Sequence, residues 1–313
     1  MINILITGGL GHLGSYFIDK FPDYYNLTIV DNLLTQRYSS LFNLERKIKF
    51  LNMDIDDLTE KDLDGIDYVL HLAAITNAEE SFQNKKQIEE VNVVKTKKFI
   101  ELCNGNVECF IFPSSTSVYG TATDIVYEDD DSFVNPQSPY AESKIQIENI
   151  IKKELGNETK YLILRFGTIF GTSVGMRFHT AINKFCYEVS LGKPLTIWKQ
   201  NYEQYRPYLG LNDACKSLTH FIGCGERHRL TASWLRNWNN TYNVLSLNSK
   251  LKDIISCIEE TTGEVELNMV NTPLLNQFSY KVNDNKIRNR GFIPEDKLID
   301  SVKDTLHMFR GIK

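Results

Sequence analysis

Short apolar runs alternate with longer stretches in which apolar residues recur every three to four positions, and this alternation organises the first half of the chain. The runs Ile2–Ile6, Leu27–Val30, Lys49–Met53, Tyr68–Leu72, Cys109–Phe112 and Tyr161–Phe166 are short and rich in Ile, Val, Leu and Phe, which predicts strands. Amphipathic stretches such as Gln87–Cys103 and Tyr140–Leu155 lie between them and predict helices. Apolar strands separated by helices predict an α/β protein with a doubly wound parallel sheet covered on both faces. Sheets of this kind take ligands beyond the carboxyl ends of their strands.

After Phe166 the pattern loosens. Turn signals multiply at Gly167, Gly171, Gly175, Gly192-Lys193-Pro194 and Arg206-Pro207. The expected division is therefore a first domain over 1–166 and a smaller C-terminal lobe over 167–313, with a strand near Tyr242–Val244 returning to the sheet. Asp253–Thr262 and Leu298–Phe309 read as helices. No internal repeat and no low-complexity tract is present.

Composition narrows the function. The 313 residues are 42% hydrophobic and 24% charged, with a net charge of −5, which disfavours nucleic acid as a partner. The basic groups Lys85-Lys86 and Lys95/Lys97/Lys98 are short and read as solvated helix faces, and Glu128–Asp131 as a solvated loop. Six cysteines are scattered without a CxxC pair or a His/Cys cluster, so neither a zinc site nor a redox dithiol is expected. That usage fits free thiols in a reducing compartment. No signal-peptide pattern and no long apolar span appears, so the expectation is a cytoplasmic protein without membrane association.

Candidate chemistry sits at the predicted strand ends. Gly8, Gly11 and Gly14 follow the first strand and open a helix, as a turn that brings backbone N–H groups and a helix dipole to a pyrophosphate requires. Asp31 ends the second strand, 17 residues after Gly14. A carboxylate there accepts from both ribose hydroxyls of an adenosine and repels a 2′-phosphate, which favours NAD over NADP although Arg37 lies nearby. Asp54 ends the third predicted strand and reads equally as a turn cap or a cofactor contact. Leu72-Ala73-Ala74 ends the fourth with the small residues a closely passing cofactor needs.

Tyr140 and Lys144 are four residues apart and share a helix face. An ammonium and an oxidised nicotinamide nearby would lower the phenol pKa and make Tyr140 a general acid/base. Ser114–Ser117 ends the fifth strand, where a hydroxyl could share a proton with Tyr140; capping the following turn is the alternative. His71 reads as a core residue, His12 as a loop residue whose backbone matters more than its ring, and Trp234 and Trp238 as packing residues.

Taken together, TGGLGHLG (7–14), DNL (31–33), HLAA (71–74), VNVVKT (91–96), SSTSVYG (114–120), YAESK (140–144), LRFGTIFG (164–171) and RPY (206–208) resemble the extended short-chain dehydrogenase/reductase family of NAD-dependent nucleotide-sugar epimerases and dehydratases. The resemblance implies a Rossmann-like lobe carrying NAD and a smaller lobe gripping a nucleotide-diphosphate sugar. It implies Ser115, Tyr140 and Lys144 as the catalytic residues. It places the cofactor against Gly8, Gly11, His12, Leu13, Gly14, Asp31, Asn32, Asp54, Ile55, Leu72, Ala73, Ala74, Asn92 and Phe166, with Tyr140 and Lys144. It places the substrate against Thr76, Ser115, Thr116, Thr168, Arg177 and Arg206, the last near the phosphates, where a planar guanidinium suits the task. Dehydratases of the family carry an Asp-Glu pair directly after the catalytic Ser/Thr, whereas this chain has Thr116-Ser117. The resemblance is thus to the epimerase branch acting at C4 of UDP-galactose or UDP-glucose through a transient 4-keto sugar, with a homodimer formed through the Gln87–Cys103 and Tyr140–Leu155 helices. A reductase or dehydratase acting on a nucleotide-4-keto-sugar, and a non-catalytic NAD-binding protein, remain the alternatives.

Overall fold

The computed structural model describes residues 1–77, 80–120, 125–223, 237–271 and 279–312. Fourteen strands are β1 (Ile2–Thr7), β2 (Tyr25–Asp31), β3 (Lys49–Asn52), β4 (Tyr68–His71), β5 (Cys109–Ser115), β6 (Ile125–Val126), β7 (Lys160–Phe166), β8 (Thr168–Phe170), β9 (Leu195–Trp198), β10 (Tyr205–Gly210), β11 (Asn240–Val244), β12 (Leu247–Lys250), β13 (Leu267–Val270) and β14 (Lys281–Val282). Seven of them form one sheet in the order β11-β7-β5-β4-β1-β2-β3, and every pair in it is parallel.

Alternation along β1 shows how the sheet is buried on both faces. Ile2, Ile4 and Ile6 enter one apolar core, beside the helices His12–Lys20 and Leu211–Ile222. Leu5 enters the other, with Phe99 and Ile100 of the helix Thr96–Cys103 and with Ile147 and Ile151 of the helix Pro139–Glu154. A strand sends successive side chains to opposite faces, so both faces must be apolar where helices cover both. The chain order reverses between β1 and β4, which opens a crevice at the carboxyl ends of these two strands.

Residues after Phe166 serve the main core, a separate core of their own and a small cluster in which Leu245, Tyr280 and Val282 meet Val118, Tyr119 and Val126. The helix Leu211–Ile222 and β11 join the main sheet and its packing, and β11 pairs with β7 from Asn240↔Leu162 to Val244↔Phe166. A separate core gathers Phe170, Phe185, Leu195, Ile197, Ile254 and Ile258 beneath the helices Ala181–Ser190 and Leu251–Thr262. A small sheet β12-β10-β8 lies between the two, with β8 following β7 after the single residue Gly167.

Two local details depart from the sequence reading. β3 ends at Asn52, so Asp54 lies past the strand and caps a short turn over Ile55–Asp57, accepting from the Asp56 N–H at 3.3 Å. The expected uniform helix over Gln87–Cys103 begins at Lys85 and widens into a π-helical stretch over Glu89–Lys95. Such widenings occur often at functional sites, and here it carries Asn92. Trp238 is buried beside Tyr68 with ring centroids 5.8 Å apart, as a packing residue; Trp234 lies outside the described residues.

Candidate active site

The glycine turn is built by close packing. Gly8 has φ +63°, and a Cβ there would stand 2.7 Å from Ala73 Cα; a Cβ on Gly14 would stand 2.3 Å from the Gly9 carbonyl. Only glycine permits both the left-handed backbone and the helix-on-strand approach. The helix His12–Lys20 starts immediately afterwards, with no side chain capping its first turn, so its N–H groups remain open to an anion.

A cleft of about 990 Å³ runs from this turn across the carboxyl ends of β4, β5 and β7 to the smaller core. Of the residues named from sequence, Gly8, Gly11, His12, Leu13, Gly14, Leu72, Ala74, Thr76, Ser115, Thr116, Tyr140, Lys144, Phe166, Thr168, Arg177 and Arg206 line it. Asp31, Asn32, Asp54, Ile55, Ala73 and Asn92 stand behind it. The Asp31 carboxylate accepts from the N–H groups of Leu10 (3.1 Å) and Leu33 (2.9 Å), which ties β2 to the glycine turn. Each oxygen keeps lone pairs for further donors. Asp54 accepts from Asn32 Nδ2 at 2.8 Å and pairs with Lys95 Nζ at 3.1 Å, which holds its carboxyl below the ordinary range although burial opposes this. Ile55 is a core residue. Asn92 clamps the loop after β4, accepting from the Ile75 N–H at 2.8 Å and donating to the Ile75 carbonyl at 2.9 Å, and it donates to Ser143 Oγ on the catalytic helix at 3.3 Å. Asp54, Ile55, Ala73 and Asn92 therefore hold the elements that frame the cleft, while Asp31 ends β2 beside the glycine turn.

Three elements bring Ser115, Tyr140 and Lys144 into one cleft. Ser115 ends β5 opposite Phe166, which ends β7, and the Ser115 hydroxyl accepts from the Ser117 N–H at 3.1 Å. Tyr140 lies in the first turn of Pro139–Glu154, a helix whose Ser138 side chain caps the Ala141 N–H at 3.2 Å and whose first residue is proline. The Tyr140 phenol faces Ser115, whose hydroxyl acts to lower the phenol pKa. Lys144, one turn on, stands 5.8 Å from the Tyr140 ring centroid, and its ammonium donates to the Pro113 carbonyl at 2.9 Å.

Electrostatics here differ from the sequence expectation. Burial pushes the Tyr140 phenol up, against the Arg177 charge and the Ser115 hydroxyl. Burial also brings the Lys144 ammonium down to about 7, against the Glu148 carboxylate and with the help of Arg177. The cation credited with lowering the phenol pKa is thus itself weakened by desolvation. Arg177 is brought down to about 10 by burial, and its Nε is buried without a hydrogen-bond partner among the described residues. That orphaned donor, the open helix start and the glycine cradle together fit a bound anionic dinucleotide.

Beneath the site lies a fully buried ion pair. Arg165 of β7 donates to Glu148 through Nη2 at 2.7 Å and through Nε at 3.1 and 3.2 Å, and Ser114 Oγ donates to Glu148 at 2.5 Å. His71 is held between Thr7 Oγ1 (2.7 Å) and Thr96 Oγ1 (3.0 Å) and is kept neutral by burial, with a pKa of about 3, as a core residue. His12 does more than its backbone alone: its neutral ring donates to the Gly171 carbonyl at 3.0 Å.

Sequence reading missed much of the far wall, including Thr196, Trp198, Gln204, Tyr208 and Tyr280. Tyr280 supports Arg206, whose guanidinium lies 5.2 Å from its ring centroid, and donates to the Thr116 carbonyl at 3.0 Å. No motif marks Tyr280.

A profile described as the NAD dependent epimerase/dehydratase family matches residues 4–229. A Methanocaldococcus jannaschii protein, named provisionally as a UDP-glucose 4-epimerase, is 30% identical over 68% of this chain and 71% of its own length. Human dTDP-D-glucose 4,6-dehydratase is 27% identical over 98% of this chain and 89% of its own length. The crystal structure of UDP-glucuronic acid 4-epimerase from Bacillus cereus in complex with NAD shares the fold, with a TM-score of 0.84 over 99% of each chain at 22% identity.

Proposed function

This chain belongs to the NAD dependent epimerase/dehydratase family, and from that premise we propose that it inverts C4 of a nucleotide-diphosphate sugar with NAD as cofactor. The observation that carries this reading is the convergence of Ser115, Tyr140 and Lys144 with the glycine turn in one cleft. NAD held there would supply a reversible hydride acceptor for the sugar carbon, so that turnover would leave no net redox change.

Gly8, Gly11, His12, Leu13 and Gly14 hold the dinucleotide, and Leu72, Ala74 and Phe166 flank it. Asp31 and Asn32 face its ribose from the end of β2, while Asp54, Ile55, Ala73 and Asn92 keep these elements in place. Tyr140 takes the proton of the 4-hydroxyl as a general base and gives it back as a general acid. The Ser115 hydroxyl, which lines the cleft with the phenol, holds the same oxygen. The Lys144 ammonium stabilises negative charge on the phenol oxygen during the transfer. Arg206, backed by Tyr280, binds the diphosphate of the sugar nucleotide, and Thr76, Thr116 and Thr168 bind toward the sugar, while Arg177, expected from the sequence on the substrate, turns its unpartnered Nε to the dinucleotide. A cleft of about 990 Å³ leaves room for the 4-keto sugar to turn its other face to the cofactor.

The human relative is a dehydratase, but elimination needs an acid/base pair beside Ser115. Thr116 instead donates to the Phe166 carbonyl at 3.2 Å, and Ser117 carries only a hydroxyl. Among the described residues no helix is long and apolar enough to cross a membrane, and the reading extends to a cytoplasmic enzyme. It also extends to a homodimer formed through the outer faces of the Lys85–Cys103 and Pro139–Glu154 helices, where Val94 is exposed.

The test is product analysis by NMR with UDP-, GDP-, CDP- and dTDP-sugars and catalytic NAD. A C4 epimer forming without accumulation of reduced cofactor is expected. Net reduction, loss of water from the sugar, or no turnover of any sugar would overturn the reading.

A further inference from the structure

The segment after β8 leaves the smaller core and crosses onto the glycine turn. The His12 ring donates to the Gly171 carbonyl at 3.0 Å, and Ser173 Oγ donates to the His12 carbonyl at 2.9 Å. Ser15 Oγ donates to Ser173 Oγ at 3.1 Å and accepts from the Gly175 N–H at 3.0 Å. The Arg37 guanidinium donates to the Gly175 carbonyl from the β2 side. A Cβ on Gly175 would stand 2.5 Å from the Leu10 carbonyl and 2.7 Å from that of Gly11, so the backbones touch. Two residues on, Arg177 donates to Thr76 Oγ1 in the loop after β4. The segment is thus fixed on both sides of the crevice between β1 and β4.

We infer that Gly171–Arg177 is a strap by which the substrate-side lobe closes the dinucleotide site and retains the cofactor through turnover. This rests on the NAD-dependent reading above. The glycine turn supplies one wall of that site; the strap, carried by the other lobe, braces that turn through Gly171, Ser173 and Gly175 and reaches the cleft itself at Arg177. Its chemistry suits a diphosphate: it ends on Arg177, whose Nε is buried without a partner, and it binds Arg37, a second cation that repels the first. Among the described residues no carboxylate pairs with Arg177, so an anion beside it relieves both the repulsion and the orphaned donor. Release of the dinucleotide then requires the strap to lift. An enzyme that must recover the hydride it has just stored gains from such slow release.

The experiment uses the full-length protein loaded with NAD and diluted into an NAD-consuming scavenger, with bound nucleotide followed over time. Ser173→Ala removes two hydrogen bonds of the latch, and Gly175→Val separates the touching backbones. Each variant is expected to release NAD about tenfold faster or more, a loss of the size that one or two hydrogen bonds give, with unchanged circular dichroism. Should Gly175→Val fail to fold, Ser173→Ala decides alone. Natively folded variants that release NAD at the wild-type rate would overturn the strap. Wild-type protein that binds no NAD would instead overturn the reading of function beneath it.

Discussion

Replacing Glu148 by glutamine should destabilise the protein more than almost any other change of one polar atom. Glu148 and Arg165 have side-chain exposures of 0% and 1%, so neither charge is relieved by water. The carboxylate holds the guanidinium through Nη2 at 2.7 Å and Nε at 3.1 Å, and it accepts from Ser114 at 2.5 Å. Glutamine keeps the shape but leaves the Arg165 cation buried beside a neutral group. Stranding one partner of a buried pair costs about 3–5 kcal/mol. For a chain of this size that lowers Tm by roughly 5–8 °C. Glu148→Gln/Arg165→Met strands no charge and should lose less than the two single variants added together. The assay is thermal and urea unfolding of all three variants. A Glu148→Gln midpoint indistinguishable from wild type, or a double variant equal to the sum of the singles, would refute the argument. The same carboxylate holds the Lys144 pKa up against burial, so Glu148→Gln should also lower the pH at which that ammonium loses its proton.

Tyr140→Phe should abolish epimerisation with NAD binding retained, and Ser115→Ala should slow it by about 10²–10⁴-fold, the range of a lost proton-transfer partner; initial rates by NMR check both. Gly14→Ala should cost about 1–3 kcal/mol through the clash with the Gly9 carbonyl and weaken NAD binding, which calorimetry measures. His12 and His71 are held neutral with pKa values of about 3 against 6.5 when unfolded, so the unfolded chain takes up protons first as the pH falls. Their contribution is complete above pH 6.5 and is lost below it, by about 1–1.5 kcal/mol each at pH 5.5, and His71→Gln should flatten part of the decline of Tm with pH. Arg206→Met should raise KM for the nucleotide-sugar far more than it lowers kcat, and Arg206→Lys should restore only part of the loss.

Much of the fold was legible because its determinants are local. Apolar runs mark β1, β2, β4, β5 and β7, and glycine positions mark the turn, since φ and close approach depend on a few consecutive residues. The Ser115, Tyr140 and Lys144 group was legible as residue types at strand and helix ends. What escaped were groups whose partners lie far along the chain. Asn92, expected at the cofactor, bonds to Ile75 and to Ser143 of the helix Pro139–Glu154, partners its sequence neighbourhood does not announce. The ring of His12 found its acceptor at Gly171. The pKa of Lys144 followed from its depth of burial, which spacing does not encode.

By itself, then, the order of residues determined the alternation of strands and helices, the glycine cradle and the side chains proposed to react, because period and turn chemistry act within a few residues. Tertiary structure alone decided which charges are desolvated, that Glu148 meets Arg165, that Tyr280 supports Arg206, and that Ser173 and Gly175 fasten onto the turn at Ser15 and Leu10. Those contacts join segments brought together only by packing, and a linear pattern carries no local signature of a partner that distant.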